Sequence, residues 1–321
     1  MRRFLVVGCG GSGGAALAYM MDQLRSDLAQ EQVDRLPAGW QFVHLDVPAG
    51  EEPGPDGIGN VEAQGGRYLG LGPQAGSYAD LDFSVSRKLG TSRALDAIGT
   101  WAPRRPEAIA TPISVGAGQY RSVGRMITLS RIEALREGLV SAWEDLYRVE
   151  THTEMKQVAH QAKLGGYSEN DVPIVLVVSS MAGGAGASMA LDVCRIMTTI
   201  NGLDPKLMAV FMVSADIFYS LPESARSGVR ANALAMLGEI VASQTGSAQE
   251  HDVRTMHALG QQHGTGASIP FARVFPVGRF VGAQRTMFGD GSPKAVYRGL
   301  ARGLAGMMMS EQATNQFVSY D

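Results

Sequence analysis

Two short glycine-rich runs carry the chemistry that this 321-residue chain offers. The first, Gly8-Cys9-Gly10-Gly11-Ser12-Gly13-Gly14, follows the apolar run Phe4-Leu5-Val6-Val7. The second, Met181-Ala182-Gly183-Gly184-Ala185-Gly186-Ala187-Ser188, follows residues 172–180, which are dominated by Val, Ile and Leu. A strand that ends in glycines and opens a helix leaves several backbone N–H groups aimed at one spot, at the positive end of the helix dipole. Glycine permits positive φ there and lets a phosphate approach without meeting a Cβ. Five glycines in the seven positions 8–14 forfeit conformational entropy with no packing return, which argues against a plain turn. Two such loops predict a polyphosphate gripped from two sides, and hence nucleotide binding. No Gly-x4-Gly-Lys-Ser/Thr run is present, which argues against a P-loop nucleotidase.

The elements that must position these loops are legible from apolar periodicity. Strands are expected at 3–7, at 40–45 with Asp46 at its end, and at 174–178, 207–213 and 271–277. Helices are expected at 15–30, 126–148, 188–200, 223–242 and 293–309. The stretch from 48 to about 80 is dense in Gly, Pro and acids, with Glu51-Glu52-Pro53-Gly54-Pro55-Asp56-Gly57 at its start, and predicts a flexible insertion. The polar stretch 243–266 reads as a second mobile segment. Strands alternating with helices predict an α/β fold: a mostly parallel, doubly wound sheet with helices on both faces. Continuous rather than alternating apolar strands agree, because such strands are covered on both sides. Ligands in this architecture sit at the carboxyl ends of the strands, where both glycine loops fall.

Composition bounds the partners. A net charge of −3 with no long basic run gives no nucleic-acid footprint. The apolar run at the N-terminus is too short for a secretory signal or a membrane span, so a cytoplasmic location is expected. The two cysteines, Cys9 and Cys194, fall in expected buried elements and predict no disulfide framework. Cys9 lies near a helix N-terminus, which could lower its pKa, or it is a small buried residue. The six histidines show no metal-ligand spacing.

Taken in order, these motifs resemble the tubulin/FtsZ superfamily, and the likeness runs from residue 4 to about 310. Residues 8–14 are similar to its first phosphate loop, implying contacts from Gly10, Gly11, Ser12 and Gly13, and Asp46 falls where the loop after strand two carries an acid. Gly116-Ala117-Gly118-Gln119-Tyr120-Arg121-Ser122-Val123-Gly124-Arg125 resembles the FtsZ segment that senses the γ-phosphate, implying contacts from Gly116, Ala117 and Gly118. Gly183, Gly184, Ala185 and Gly186 resemble the signature loop Gly-Gly-Gly-Thr-Gly-Ser/Thr-Gly. Val213-Ser214-Ala215-Asp216 resembles the sugar-side loop, and Asn232 resembles the tubulin asparagine that reads guanine. The resemblance implies GTP or GDP with Mg²⁺, and head-to-tail self-association into filaments, with regulatory protein partners. It also implies a hydrolytic site completed by an acid from the next subunit, for which Glu311 and Asp321, after the final helix, are the candidates. Residues 1–310 would form the GTP-binding domain, and 311–321 would begin a segment leading to a second domain.

This chain departs from the pattern at several positions. The signature threonine is Ala185, its second hydroxyl residue is Ala187, and its last glycine is Ser188. The first-helix asparagine that FtsZ uses on guanine is Ala15, and the acid that contacts ribose falls near Arg195, with Asp192 the nearest carboxylate. Arg121 and Arg125 are either phosphate partners or solvated surface residues. Two other functions stay open: a Rossmann-type dinucleotide enzyme, which Gly8-x-Gly10-x-x-Gly13 and Asp46 also fit, and a nucleotide-gated scaffold with little hydrolysis.

Overall fold

The β-branched and apolar runs form the middle of a six-stranded sheet. The computed structural model describes residues 1–89, 101–261 and 273–319. Strands β1 (Phe4–Cys9), β2 (Trp40–Asp46), β3 (Arg67–Gly70), β4 (Ile174–Ser180), β5 (Met208–Val213) and β6 (Arg273–Val277) lie in the order β3-β2-β1-β4-β5-β6. Every neighbouring pair is parallel. All residues of β1, β4 and β5 are buried, as strands covered on both faces must be.

Two helical layers provide that cover. On one face lie α1 (Gly10–Gln30), α5 (Val149–Gln161) and α9 (Pro293–Met308), with Leu17, Leu24, Met155 and Leu300 in their shared core. On the other lie α2 (Tyr78–Leu89), α3 (Arg121–Ser130), α4 (Ile132–Asp145), α6 (Gly186–Met197), α7 (Val229–Gln244) and α8 (Gln249–Ala258). Their core includes Val123, Leu135, Leu191 and Met236. A last helix, α10 (Glu311–Ser319), follows α9 and sets Phe317 against Phe275 of the edge strand. Among the described residues no helix is long and apolar enough to cross a membrane.

The expected α/β architecture is present, with informative differences in detail. Both helices that follow the glycine loops start earlier than periodicity suggests, at Gly10 and Gly186, so the glycines form first turns rather than linkers. The single helix expected at 126–148 is two helices, α3 and α4. The backbone leaves helical geometry at Arg131 (φ −114°, ψ 21°), while apolar residues continue in step on both sides, which hides the break from a periodicity reading. The segment expected as an insertion carries β3, whose four residues pair with β2 from Val43↔Arg67 to Asp46↔Gly70. An edge strand this short and polar gives almost no apolar signal. Helix α8 lies within the stretch expected to be mobile, and residues 262–266 of that stretch lie outside the described residues. So do Phe271 and Ala272, at the start of the last expected strand.

Candidate functional site

Because β1 and β4 are adjacent, the helices leaving their carboxyl ends emerge side by side. Gly10 sits at φ +70°, and a Cβ there would lie 2.8 Å from the Gly186 nitrogen. The two loops therefore touch, and only glycine fits at position 10. Neither α1 nor α6 has a side-chain N-cap or an acid in its first turn, so neither helix caps its opening N–H groups with a side chain of its own, although in α6 the Ala187 and Ser188 N–H groups donate to the Gly183 and Ala185 carbonyls. The third glycine segment closes the cleft: the Gly184 N–H donates to the Gly118 carbonyl at 2.8 Å, and a Cβ on Gly184 would sit 2.7 Å from the Ala117 carbonyl oxygen.

Gly10, Gly11, Ser12, Asp46, Gly116, Ala117, Gly118, Gly183, Gly184, Ala185 and Gly186 thus line one cleft at the carboxyl edge of the sheet. Gly13 does not. It faces β4, where a Cβ would be 2.7 Å from the Val178 carbonyl oxygen, and its smallness lets α1 lie close on the sheet.

The cleft has an unusual charge pattern. Its wall includes the carboxylates of Asp46 and Glu52 and, among the described residues, no Lys or Arg. Burial raises the Asp46 pKa, opposed by the Val47 N–H, which donates to Oδ1 at 2.7 Å. Glu52 comes from the Gly/Pro-rich segment, whose composition reads as loop and conceals the contribution. Tyr297 was equally hidden. It is a buried residue of α9 whose hydroxyl lies 2.8 Å from Ser12 Oγ, placing an aromatic ring beside the first glycine loop. A tyrosine within an amphipathic helix looks like ordinary core, so the contact is visible only in three dimensions.

Other expected site residues lie elsewhere. Asn232 is buried in α7, and its amide nitrogen donates to the carbonyls of Gln119 (2.9 Å) and Ala182 (2.7 Å). It braces two glycine loops from behind and lines a separate cavity with Arg121, Arg125 and Trp101. Asp216 is held by Ser214 Oγ and by the Arg279 N–H (3.2 Å), outside the cleft. Arg121 donates to the Ala187 carbonyl and pairs with Glu239 at 2.9 Å, while Arg125 stacks on Trp101 and faces Asp192. Neither arginine lines the cleft. Asp192 is fully buried, bound to Arg195 at 2.7 Å, so it is spent on an internal ion pair rather than exposed to a sugar. Burial of Cys9 raises its pKa rather than lowering it, which makes it a packing residue.

Glu311 lies at the opposite end of the sheet: a Cβ on Gly165, in the loop leading to β4, would meet its carboxylate, and its charge acts on the Met1 ammonium. Within one chain it cannot approach the cleft. Asp321 lies outside the described residues.

Asn232→Ala is expected to weaken GTP and ATP binding by similar factors, because it removes the two hydrogen bonds that brace the loops from behind, each worth about 0.5–1.5 kcal/mol. Competition titrations with both nucleotides check this; a loss confined to GTP would make Asn232 a base contact after all.

An open parallel sheet with helices on both faces and glycine loops at its carboxyl edge defines a doubly wound α/β domain. The profile of a family described as "Tubulin like" matches residues 5–321, and the chain belongs to that family. A search of curated proteins gives no match.

Proposed function

We propose that the glycine cleft binds GTP or GDP with Mg²⁺, and that the protein hydrolyses GTP when copies associate head to tail in the cytoplasm. The observation that carries this reading is the convergence of both helix N-termini and Gly116–Gly118 on one cleft. Its amides would hold the phosphates, and Ala185 offers none of the hydroxyl contact that a threonine would. A polyphosphate facing Asp46 and Glu52 with no lining Lys or Arg meets only repulsion from those side chains. That donor set fits a divalent cation: the two carboxylates would hold Mg²⁺, which supplies charge neutralisation for phosphoryl transfer.

Ser12, held at 2.8 Å by the Tyr297 hydroxyl, lines the cleft on the α9 side and fits the nucleoside half. The acids of the cleft wall, Asp46 and Glu52, are the ones assigned to the cation, and Glu311 faces the opposite end. We therefore assign water orientation to a second copy, through Glu311 or Asp321, and assembly becomes a condition for turnover.

Two measurements test this. Nucleotide released by heat from purified protein and identified by mass should be guanine nucleotide; NAD(H) would favour the dinucleotide enzyme. GTPase specific activity should fall with dilution and show a threshold. Constant specific activity over roughly a hundred-fold dilution would show that each chain carries its own catalytic site.

A further inference from the structure

Strand β2 ends in His44-Leu45-Asp46, and strand alternation puts His44 and Asp46 on one face. Asp46 lines the glycine cleft; His44 lies just behind it, only 5% exposed, with its ring 5.2 Å from that of Tyr68. Its Nε2 is 3.3 Å from the Gly10 carbonyl oxygen, and its Nδ1 is 2.6 Å from Glu51 Oε1. A Cβ on Gly14 would collide with the imidazole, so the ring is wedged beneath both ends of the first phosphate loop.

Glu51 continues the connection. Its two oxygens also accept from the N–H groups of Val61 (3.1 Å) and Glu62 (2.7 Å). Burial alone would raise its pKa, but the bonds from His44 and Glu62 hold it below the usual carboxylate range. One carboxylate thus gathers the strap formed by residues 48–66, and that strap places Pro48 and Glu52 in the wall of the cleft.

We propose that His44 is a positioning residue that couples the strap to the phosphate loop. Through Nε2 it holds the Gly10 peptide so that the amides after it face the cleft. Through Nδ1 and Glu51 it seats the strap that carries Glu52. This rests on the cleft being a nucleotide site. A histidine that merely fills space would not use both nitrogens on two different elements.

The two halves can be separated, because an asparagine amide nitrogen falls near the place of Nδ1 and a glutamine amide nitrogen near that of Nε2. The experiment is calorimetric titration with GDP, with and without Mg²⁺, together with amide hydrogen exchange over residues 51–62 in the presence and absence of GDP. In the wild-type protein GDP should slow exchange at Val61 and Glu62. His44→Asn should keep that protection while GDP affinity falls by up to about tenfold, the loss of the one side-chain hydrogen bond that holds the Gly10 peptide. His44→Gln should keep the affinity for GDP without Mg²⁺ within about threefold, since the Gly10 bond survives, while the strap exchanges freely and the affinity added by Mg²⁺ falls with Glu52 unseated. Glu51→Gln, nearly isosteric, should copy His44→Gln and serves as the second readout if a His44 variant does not fold.

Equal changes in Mg²⁺-free affinity and in protection for the Asn and Gln variants, or no change in either, would overturn the coupling. Wild-type protein that fails to bind GDP would overturn the nucleotide reading itself, an outcome distinct from binding without the split.

Discussion

Gly11→Val and Gly183→Val are expected to abolish nucleotide binding in a protein that remains folded. Both glycines line the cleft. A Cβ on Gly183 meets no atom within 4 Å, and one on Gly11 meets only Asp46 Oδ2 at 3.8 Å; neither residue has a left-handed φ. The added side chain therefore strains nothing and occupies the space a phosphate would take. Hydrogen bonds to a charged group contribute about 1.5–3 kcal/mol each, so losing two amide–phosphate contacts lowers affinity by roughly a hundredfold or more. Gly184→Val is the contrast: its Cβ would lie 2.7 Å from the Ala117 carbonyl oxygen and 2.8 Å from the Tyr120 nitrogen. It should force the two loops apart and lower the melting temperature as well as the affinity. Calorimetric titration with GDP, paired with thermal melts, distinguishes the three. Unchanged GDP affinity in folded Gly183→Val would remove the cleft as the phosphate site.

The second large effect is on stability. Asp192→Ala should destabilise the fold by about 3–5 kcal/mol, because it takes the ion-pair partner from buried Arg125 and leaves buried Arg195 with Asp252 alone. Asp192 is fully buried between Arg195, at 2.7 Å, and Arg125, whose Nε is 3.4 Å away; Arg195 also pairs with Asp252 at 2.9 Å. Burial alone would lower the Arg195 pKa, but Asp252 and Asp192 raise it, so the guanidinium stays charged and its partner cannot be dispensed with. A urea unfolding curve reads the loss. GDP affinity measured well below the unfolding transition should stay within about twofold, because no contact that a ligand makes is removed. A selective loss of affinity would place Asp192 at the nucleotide sugar.

The architecture and the meeting of the glycine loops were readable because they rest on local rules. Long apolar runs such as 174–178 become buried parallel strands, and glycines after a strand mark a helix opening that something must approach. Gly10 shows how far this reaches, since its positive φ and its contact with Gly186 are both consequences of residue type. What escaped depends on contacts between distant segments. Asn232 has the right type and the right neighbourhood in sequence, yet its amide is consumed by two loop carbonyls, which no spacing rule reveals. Glu51, Glu52 and His44 act together only because β3 straps their segment onto β2, and that strand is too short and polar to announce itself. Tyr297 reaches Ser12 across 285 residues of chain. Arg121 and Arg125 had the charge to bind phosphate, and the direction of α3 turned them toward internal acids instead.

The placement of Glu311 at the far end of the sheet from the glycine cleft has an arithmetic consequence. With water orientation assigned to the next copy, a linear stack of n copies holds n − 1 complete catalytic sites. The copy at one end keeps a cleft with no donor, and the copy at the other keeps a donor with no cleft. Cutting a stack once removes one working site, so turnover per subunit becomes a gauge of mean stack length. The two ends are also chemically unlike: a mutant copy with an intact cleft but no acid joins a stack normally and silences only the single site it should have completed.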